Sequence, residues 1–412
     1  MATGAQLLAT DEQGRTALHR ALADKEEAST VLALLAQCPD AAQVADGRGR
    51  LPLHVAANSQ APLEVVAALL KAHPEGGKVE DHDGAVHEVR GGQLPLHLAA
   101  TSQAPLEVVK ALLEAQWSGA AAKDREGRLP LHCAADNEAP LEVVMALLEA
   151  YRDGLDNRDE EGRPPLHHAA ASQAPLEVFK VLLETSPGGA AETDGVGMLP
   201  LHCAAIGQAP LEVVTALMEA HPEGLTEKDE DGMLPLHCAA TGQASLEVVM
   251  ALLRAHPEGV EDTDDQDKLP LHHAAEDREP VEVFKALLEA NPSGVAEKDN
   301  ESMLPLHCAA SGQAPLEVIK MLLEAHPEGV TEKCGDGRLP LHCVAAGQAP
   351  LAVVTAILRA HPDGVKVHDD LTGLPLHCAA ANKAPLLVVK ALLEAHSHGA
   401  LEIYNQGRLP LH

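Results

Sequence analysis

Histidine is the most conspicuous titratable residue of the chain, with 24 copies in 412 residues, and half of them share one sequence context. A Leu-Pro-Leu-His signature, or a variant of it, ends at His19, His54, His97, His132, His167, His202, His237, His272, His307, His342, His377 and His412. In six copies a cysteine follows directly: Cys133, Cys203, Cys238, Cys308, Cys343 and Cys378. A ladder of His beside Cys suggests metal ligation. Such a site needs three or four donors converging on one ion at about 2.0 to 2.3 Å, whereas this repetition sends equivalent donors into separate layers. The cysteines face the same geometry. Stacked helices hold equivalent atoms about 8 to 10 Å apart, and a disulfide needs Cα atoms within about 7 Å, so the motif cysteines read as free thiols acting as small buried hydrophobes. His73, His221, His256, His326 and His361 form a second set, each followed by Pro. They begin the loop after a helix, where the helix dipole favours a cationic cap. Asp262, Asp264, Asp265 and Asp267 invite a calcium reading, but an EF-hand loop counted from Asp262 would need Gly and Glu where Asp267 and His273 stand. There is no Gly-rich phosphate loop, nucleophile elbow or Cys-x-x-Cys pair. Every residue type that could do chemistry recurs at one repeat position, which points to a non-enzyme without a cofactor or a small-molecule substrate.

The elements that position these residues follow from the spacing. The interval is 35 residues from His19 to His54, 43 from His54 to His97, and 35 for each of the nine intervals to His412. One unit runs from His237 through two alanines, a short polar segment, Leu246-Glu-Val-Val-Met-Ala-Leu-Leu-Arg-Ala and His256-Pro-Glu-Gly to an acidic stretch ending at Lys268. It reads as two short helices and a turn. Pro235 suits the first turn of a helix, where its missing N–H has no partner to lose. The Ala pair permits close packing, and residues such as Gly242 and Gly347 break the first helix. A second Pro (Pro105, Pro140, Pro175, Pro210, Pro315) opens helix two, whose first turn carries a Glu that complements the dipole. Apolar residues cover more than one face of that helix, as sandwiching between neighbours requires. Pro-Glu-Gly or Pro-Asp-Gly stops it, and the Asp- and Gly-rich remainder reads as a hairpin-like finger.

Composition agrees with thin, similar layers rather than one large core. Only five residues are aromatic, Trp117, Tyr151, Phe179, Phe284 and Tyr404, and aromatics normally supply much of a large core's buried area. Acidic residues outnumber basic ones by 62 to 30, for a formal charge of −32. That balance argues against binding nucleic acid or an anionic membrane surface, and it favours a protein partner with a basic contact surface. The start has no basic, apolar leader, and no run of apolar residues reaches membrane-spanning length. An intracellular, cytoplasmic protein is therefore expected.

These units resemble the ankyrin repeat, whose pattern is Gly-x-Thr-Pro-Leu-His-x-Ala-Ala, a short loop, Leu-Glu-Val-Val-x-x-Leu-Leu and an Asp-containing finger, over about 33 residues. Gly127 to Ala135 and Leu141 to Leu148 match it almost position by position, and the resemblance covers Asp11 to the end. Two features depart from it. The period is 35, with one extra residue between the helices and one after helix two, and Leu stands at the family's Thr position after the first copy, which keeps Thr16-Ala-Leu-His19. Losing the hydroxyl leaves the side-chain capping of helix one open. A tetratricopeptide array has a similar period, but its aromatic signature is absent. The resemblance implies an all-α solenoid of helix-turn-helix units with hairpin-like fingers, elongated and curved. It also implies that His54, His97, His132, His167, His202, His237, His272, His307, His342 and His377 are structural, bonding across the hairpins.

The expected organisation is an N-terminal tail over 1–10, a polar capping repeat over 11–44, tandem repeats over 45–405 with a fingertip insertion at 85–92, and the start of a truncated repeat at 406–412. Arg50, Arg128, Arg163, Met198, Met233, Lys268, Met303, Arg338 and Arg408 stand four residues before the signature His, which places them near the fingertips. The resemblance implies that fingertips and first helices line a concave binding face. Arg128, Arg163, Met198, Met233, Lys268, Met303 and Arg338, with Arg90 of the insertion, are therefore candidate partner contacts. The function expected is a protein-interaction scaffold. The alternatives are an interaction or spacer segment of a larger signalling protein, enzyme or channel truncated at residue 412, and a His- and Asp-rich metal-buffering array.

Overall fold

A computed structural model describes residues 4–82, 91–242, 244–276, 280–312, 314–347, 349–371, 373–403 and 409. The insertion's residues 85–90, with Arg90, and residues 406–408 and 410–412 of the expected last repeat lie outside the described residues. All regular structure among the described residues is helical. The packing divides into two compact units, Met1–Ala204 with Glu212–His221, and Ala205–Leu211 with Pro222–His412.

Each unit is built from the same helix pair. In the first, the first helices include Ala17–Ala23, Pro52–Asn58, Pro95–Thr101, Pro130–Asp136 and Pro165–Ala171, and the second helices include Ala28–Gln37, Leu63–Ala72, Leu106–Ala115, Leu141–Ala150 and Leu176–Thr185. In the second, Pro235–Thr241, Pro270–Glu276, Pro305–Gly312, Pro340–Ala346 and Pro375–Ala381 alternate with Leu246–Ala255, Val281–Ala290, Leu316–Ala325, Leu351–Ala360 and Leu386–Ala395. Within each unit, first helix packs on first helix and second on second, repeat after repeat, which is the contact pattern of a solenoid. Proline at the first position starts most first helices, where a missing N–H does no harm. The second proline does a different job from the one its position suggests. Pro105, Pro140 and Pro315 are the extended residues that precede the helix, which itself starts at the following Leu.

The Ala pair makes close approach possible. Ala56, Ala57, Ala99, Ala100, Ala134 and Ala135 have no exposed surface, since a methyl group lets neighbouring helices approach closely. The second helix supplies the bulk: Val66, Val109, Val144, Phe179, Val249, Phe284, Ile319 and Val354 are fully buried. Each such side chain contributes about 1.5 to 3 kcal/mol by leaving water.

Two local features differ from the reading of the sequence. The stretch after helix two does not run directly into a loop. It forms a short 3-10 helix, as at Pro74–Lys78, Pro187–Ala191 and Pro327–Thr331. The Gly of Pro-Glu-Gly therefore does not stop the helix through a left-handed conformation. Gly76 and Gly329 are buried, with the His73 and His326 rings beside them. The left-handed glycines sit in the fingers, among them Gly127, Gly162 and Gly232. At Gly162 a Cβ would lie 2.6 Å from the Gly195 backbone nitrogen, because successive fingers touch there. The second feature lies in residues 1–10, where a helical turn, Gly4–Leu7, buries Leu7.

Candidate functional site

The signature histidine is the hub of each repeat. Where Leu precedes Pro, the Leu backbone N–H donates to Nδ1 of the His three residues on, at 3.0 Å in His54 and 3.2 Å in His307. With Nδ1 accepting, Nε2 carries the proton and donates. Its acceptors are backbone carbonyls one layer ahead: His54 to Val79 at 2.9 Å, His97 to Arg128 at 3.1 Å, His237 to Lys268 at 3.2 Å and His272 to Glu297 at 3.2 Å. His132 divides its proton between Asn157 and Arg163, His307 between Glu332 and Arg338, and His342 between Val367 and Gly373. Leu199 donates to His202 at 3.1 Å and Leu374 to His377 at 3.2 Å. In the first copy Thr16 adds a hydroxyl 2.8 Å from His19 Nδ1. The Leu copies lose that hydroxyl and keep the backbone bond, so the cap survives in half.

One copy lacks even that. Pro164 stands where Leu stands elsewhere and has no N–H to give, so His167 Nδ1 is buried without a partner while its Nε2 donates to Met198 at 3.0 Å.

Burial keeps these imidazoles neutral. It lowers His54, His97, His167, His237, His307 and His342 to about 4 and His132 to about 3. Burial likewise raises the thiols of Cys133 and Cys203 to about 12 and Cys343 to about 11, so none is a ready thiolate. None of the eight cysteines is in a disulfide. Among the described residues, no three His, Cys, Asp or Glu side chains are grouped to hold a metal ion.

The second element of the site is an aspartate that sequence reading passed over as one acid among many. Asp46, Asp124, Asp159, Asp264 and Asp299 each use Oδ1 to accept two backbone N–H groups, two and four residues on. This closes the finger as an Asx turn. Fingers then join to each other: Arg125 N donates to Gly91 O, Glu160 N to Glu126 O, Asp265 N to Asp231 O and Asn300 N to Gln266 O. Beside the insertion the closure still holds, with Asp81 Oδ1 accepting from Gln93 N at 2.8 Å. The signal was available in the sequence as the fixed offset of eight residues before the signature His.

The candidate contact residues lie at the base of the finger rather than at its tip, because their own N–H groups close the Asx turn. Arg128, Arg163, Met198, Met233, Lys268 and Met303 all donate this way. Their side chains are held inside the repeat as well. Arg128 is buried against Asp124 at 3.0 Å and Glu126 at 2.8 Å. Arg163 pairs with Asp159 and Glu161, and Lys268 with Glu276 at 2.9 Å. Arg338 has Cys334 where the finger Asp belongs, and reaches forward to Asp369 at 3.3 Å. Met198, Met233 and Met303 are half-buried. The second histidine set caps helix two through its backbone: the N–H groups of His73, His256 and His326 donate to the carbonyls of Leu69, Leu252 and Leu322.

Helix pairs stacked through a buried histidine and joined by aspartate-closed fingers define a helical repeat protein. The family model for ankyrin repeats, in three copies, matches residues 78–157, 96–192, 166–267, 201–299, 236–333 and 271–369, more than half of the chain, and the chain belongs to the ankyrin repeat family. No curated protein matches it. Ankyrin repeats are in general protein-protein interaction modules and typically not enzymes. No described helix is long and apolar enough to cross a membrane.

Proposed function

We propose that this array is a scaffold that binds a protein partner through the face formed by its first helices and fingers, the concave face of the family, and that the partner presents a basic surface there. The observation that carries this reading is where the charge goes. The finger Asp and the cation four residues on, as in Arg128, Arg163 and Lys268, meet partners internally. At the fingertips Glu160, Glu161, Glu230, Asp231, Asp265, Asp267, Glu301, Asp336 and Asp370 are exposed and outnumber the exposed fingertip cations Arg48 and Arg125, in a chain of net charge −32. Like-signed exposed carboxylates steer an oppositely charged partner and raise its association rate. Arg128, Arg163, Lys268 and Arg338 then serve the interface by holding the finger in shape, with Met198, Met233 and Met303 as adaptable contacts beside them.

The test is affinity capture with the purified array, followed by stopped-flow association of the captured partner at low and physiological salt. Association should slow as salt rises, and reversing Glu230 and Asp231 to Lys should slow it further at low salt. A rate indifferent to both changes would remove the fingers from the interface.

A further inference from the structure

We propose that His168, held between two aspartates, is a proton-operated latch that fastens the repeat at 163–197 to the one before it when charged and releases it when neutral. The position directly after the signature His is apolar in most repeats, filled by Cys, Val or Leu, and it faces the finger aspartate. Cys378 shows this, with Sγ 3.7 Å from Asp369 Oδ2. At 168 the side chain is an imidazole, and both ring nitrogens meet carboxylates. Nε2 lies 2.9 Å from Asp159 Oδ2 in the finger, and Nδ1 3.8 Å from Asp136 Oδ1 at the end of the preceding repeat's first helix. Only the imidazolium offers an N–H to both sides. The cation is therefore the state that spans the two repeats.

The surroundings set its balance. The His132 ring stands edge-on to His168 at 5.4 Å between centroids, and its own depressed pKa, from burial and the His168 charge, keeps it neutral. Arg163 shares Asp159 and opposes the charge, and Arg128 acts on Asp136 from the finger beneath. His167 beside it is neutral. Burial alone would depress His168, but the carboxylates of Asp136 and Asp159 on its two sides outweigh it and raise the group above its usual 6.5.

A raised folded value means the latch acts fully below about pH 6.5, the unfolded value, and is lost as pH rises through the folded one. The signature histidines run the other way and are already neutral in that window. Half of the arrangement recurs 105 residues on: His273 Nε2 lies 2.8 Å from Asp264, edge-on to His237, but Thr241 stands in the place of Asp136. That copy ties a helix to its own finger only.

Hydrogen-exchange mass spectrometry on the full chain and on His168→Cys and Asp136→Asn would test the latch. Cys is the residue of neighbouring repeats at this position, and Asn58 occupies the place of Asp136 two repeats earlier. At about pH 6 the wild-type helix Pro165–Ala171 should be protected roughly tenfold more than in His168→Cys, and by about pH 9 the two should converge. Asp136→Asn should show the same convergence from a smaller difference, and stands as the test if the cysteine variant does not fold. Helix Pro305–Gly312 should respond to neither substitution. A wild-type to variant ratio that is constant with pH, or that changes equally at Pro305–Gly312, would overturn the proposal.

Discussion

The repeats at 163–197 and 303–337 share a fold and a buried histidine but differ at the residue before the helix. In the second, Leu304 donates its N–H to His307 Nδ1 at 3.2 Å, and Nε2 is shared by two carbonyls of the next finger. In the first, Pro164 donates nothing and His167 keeps a single bond, to Met198. Beside the lost bond stands His168, placed between two carboxylates, where the other repeat has the buried thiol of Cys308. The comparison teaches that the signature His is an adaptor between backbones, so its worth depends on which backbone groups face it. A neutral buried cap can be lost where an ionic contact nearby takes up part of its role.

Acid should weaken both repeats through the signature histidine they share, and this is the largest effect expected. Both His167 and His307 have folded values of about 4, set by burial, against an unfolded 6.5. Above about pH 6.5 both states are neutral and the contribution is complete. Below it the unfolded chain takes protons that the folded chain refuses, and stability falls until about pH 4, on the order of 3 kcal/mol for each such histidine. Summed over an array, that should lower the melting temperature steeply between pH 6 and 4.5, as followed by circular dichroism. It should also lower the exchange protection of Pro305–Gly312 and Pro165–Ala171 by similar amounts, because the two imidazoles share one folded value and the latch is already charged throughout that range. A flat melting temperature would mean that the imidazoles are protonated in the fold.

Removing each histidine should separate the two repeats at neutral pH. His307→Ala strands the Leu304 N–H and two carbonyls and opens a cavity, at a cost of about 4 kcal/mol. His167→Ala opens a cavity of the same kind but strands only the Met198 carbonyl, so it should cost about 2 kcal/mol less. Local exchange at each first helix reads the difference directly, and equal losses would show that packing rather than hydrogen bonding sets the value of the residue.

How much of this was legible in the sequence divides along the same line. The 35-residue period, the helix pair and the burial of Ala134 and Ala135 follow from composition and spacing, because each is a repeated demand on side-chain size. The histidine ladder was visible as a pattern, and its geometry emerged only with the chain ahead of it folded, since its acceptors lie 25 and 31 residues on. At the Arg and Lys positions a charge near a turn looks free in the sequence, and only the folded chain shows the carboxylate each one meets: Asp124 for Arg128, Glu276 for Lys268 and Asp369 for Arg338. The Gly of Pro-Glu-Gly misled because a helix stop and a close approach by a histidine ring ask for the same residue.

Pro164→Leu is the smallest change expected and the sharpest test of the comparison. It gives the 163–197 repeat the one donor it lacks, with the side chain that the neighbouring repeats bury at Leu129 and Leu199. Satisfying the buried Nδ1 of His167 should add about 1 kcal/mol. Part of this is offset because proline limits the unfolded chain more than leucine does. The urea midpoint of the transition should therefore rise slightly, and exchange at Pro165–Ala171 should slow. Packing alone predicts the same sign, so the decisive measurement is the double-mutant cycle with His167→Ala. If the gain comes from the backbone N–H that the substitution introduces, it should vanish once the imidazole is gone, because the donor then has no acceptor. A gain that persists in the alanine background would assign it to the leucine side chain, and the missing hydrogen bond would no longer distinguish the two repeats.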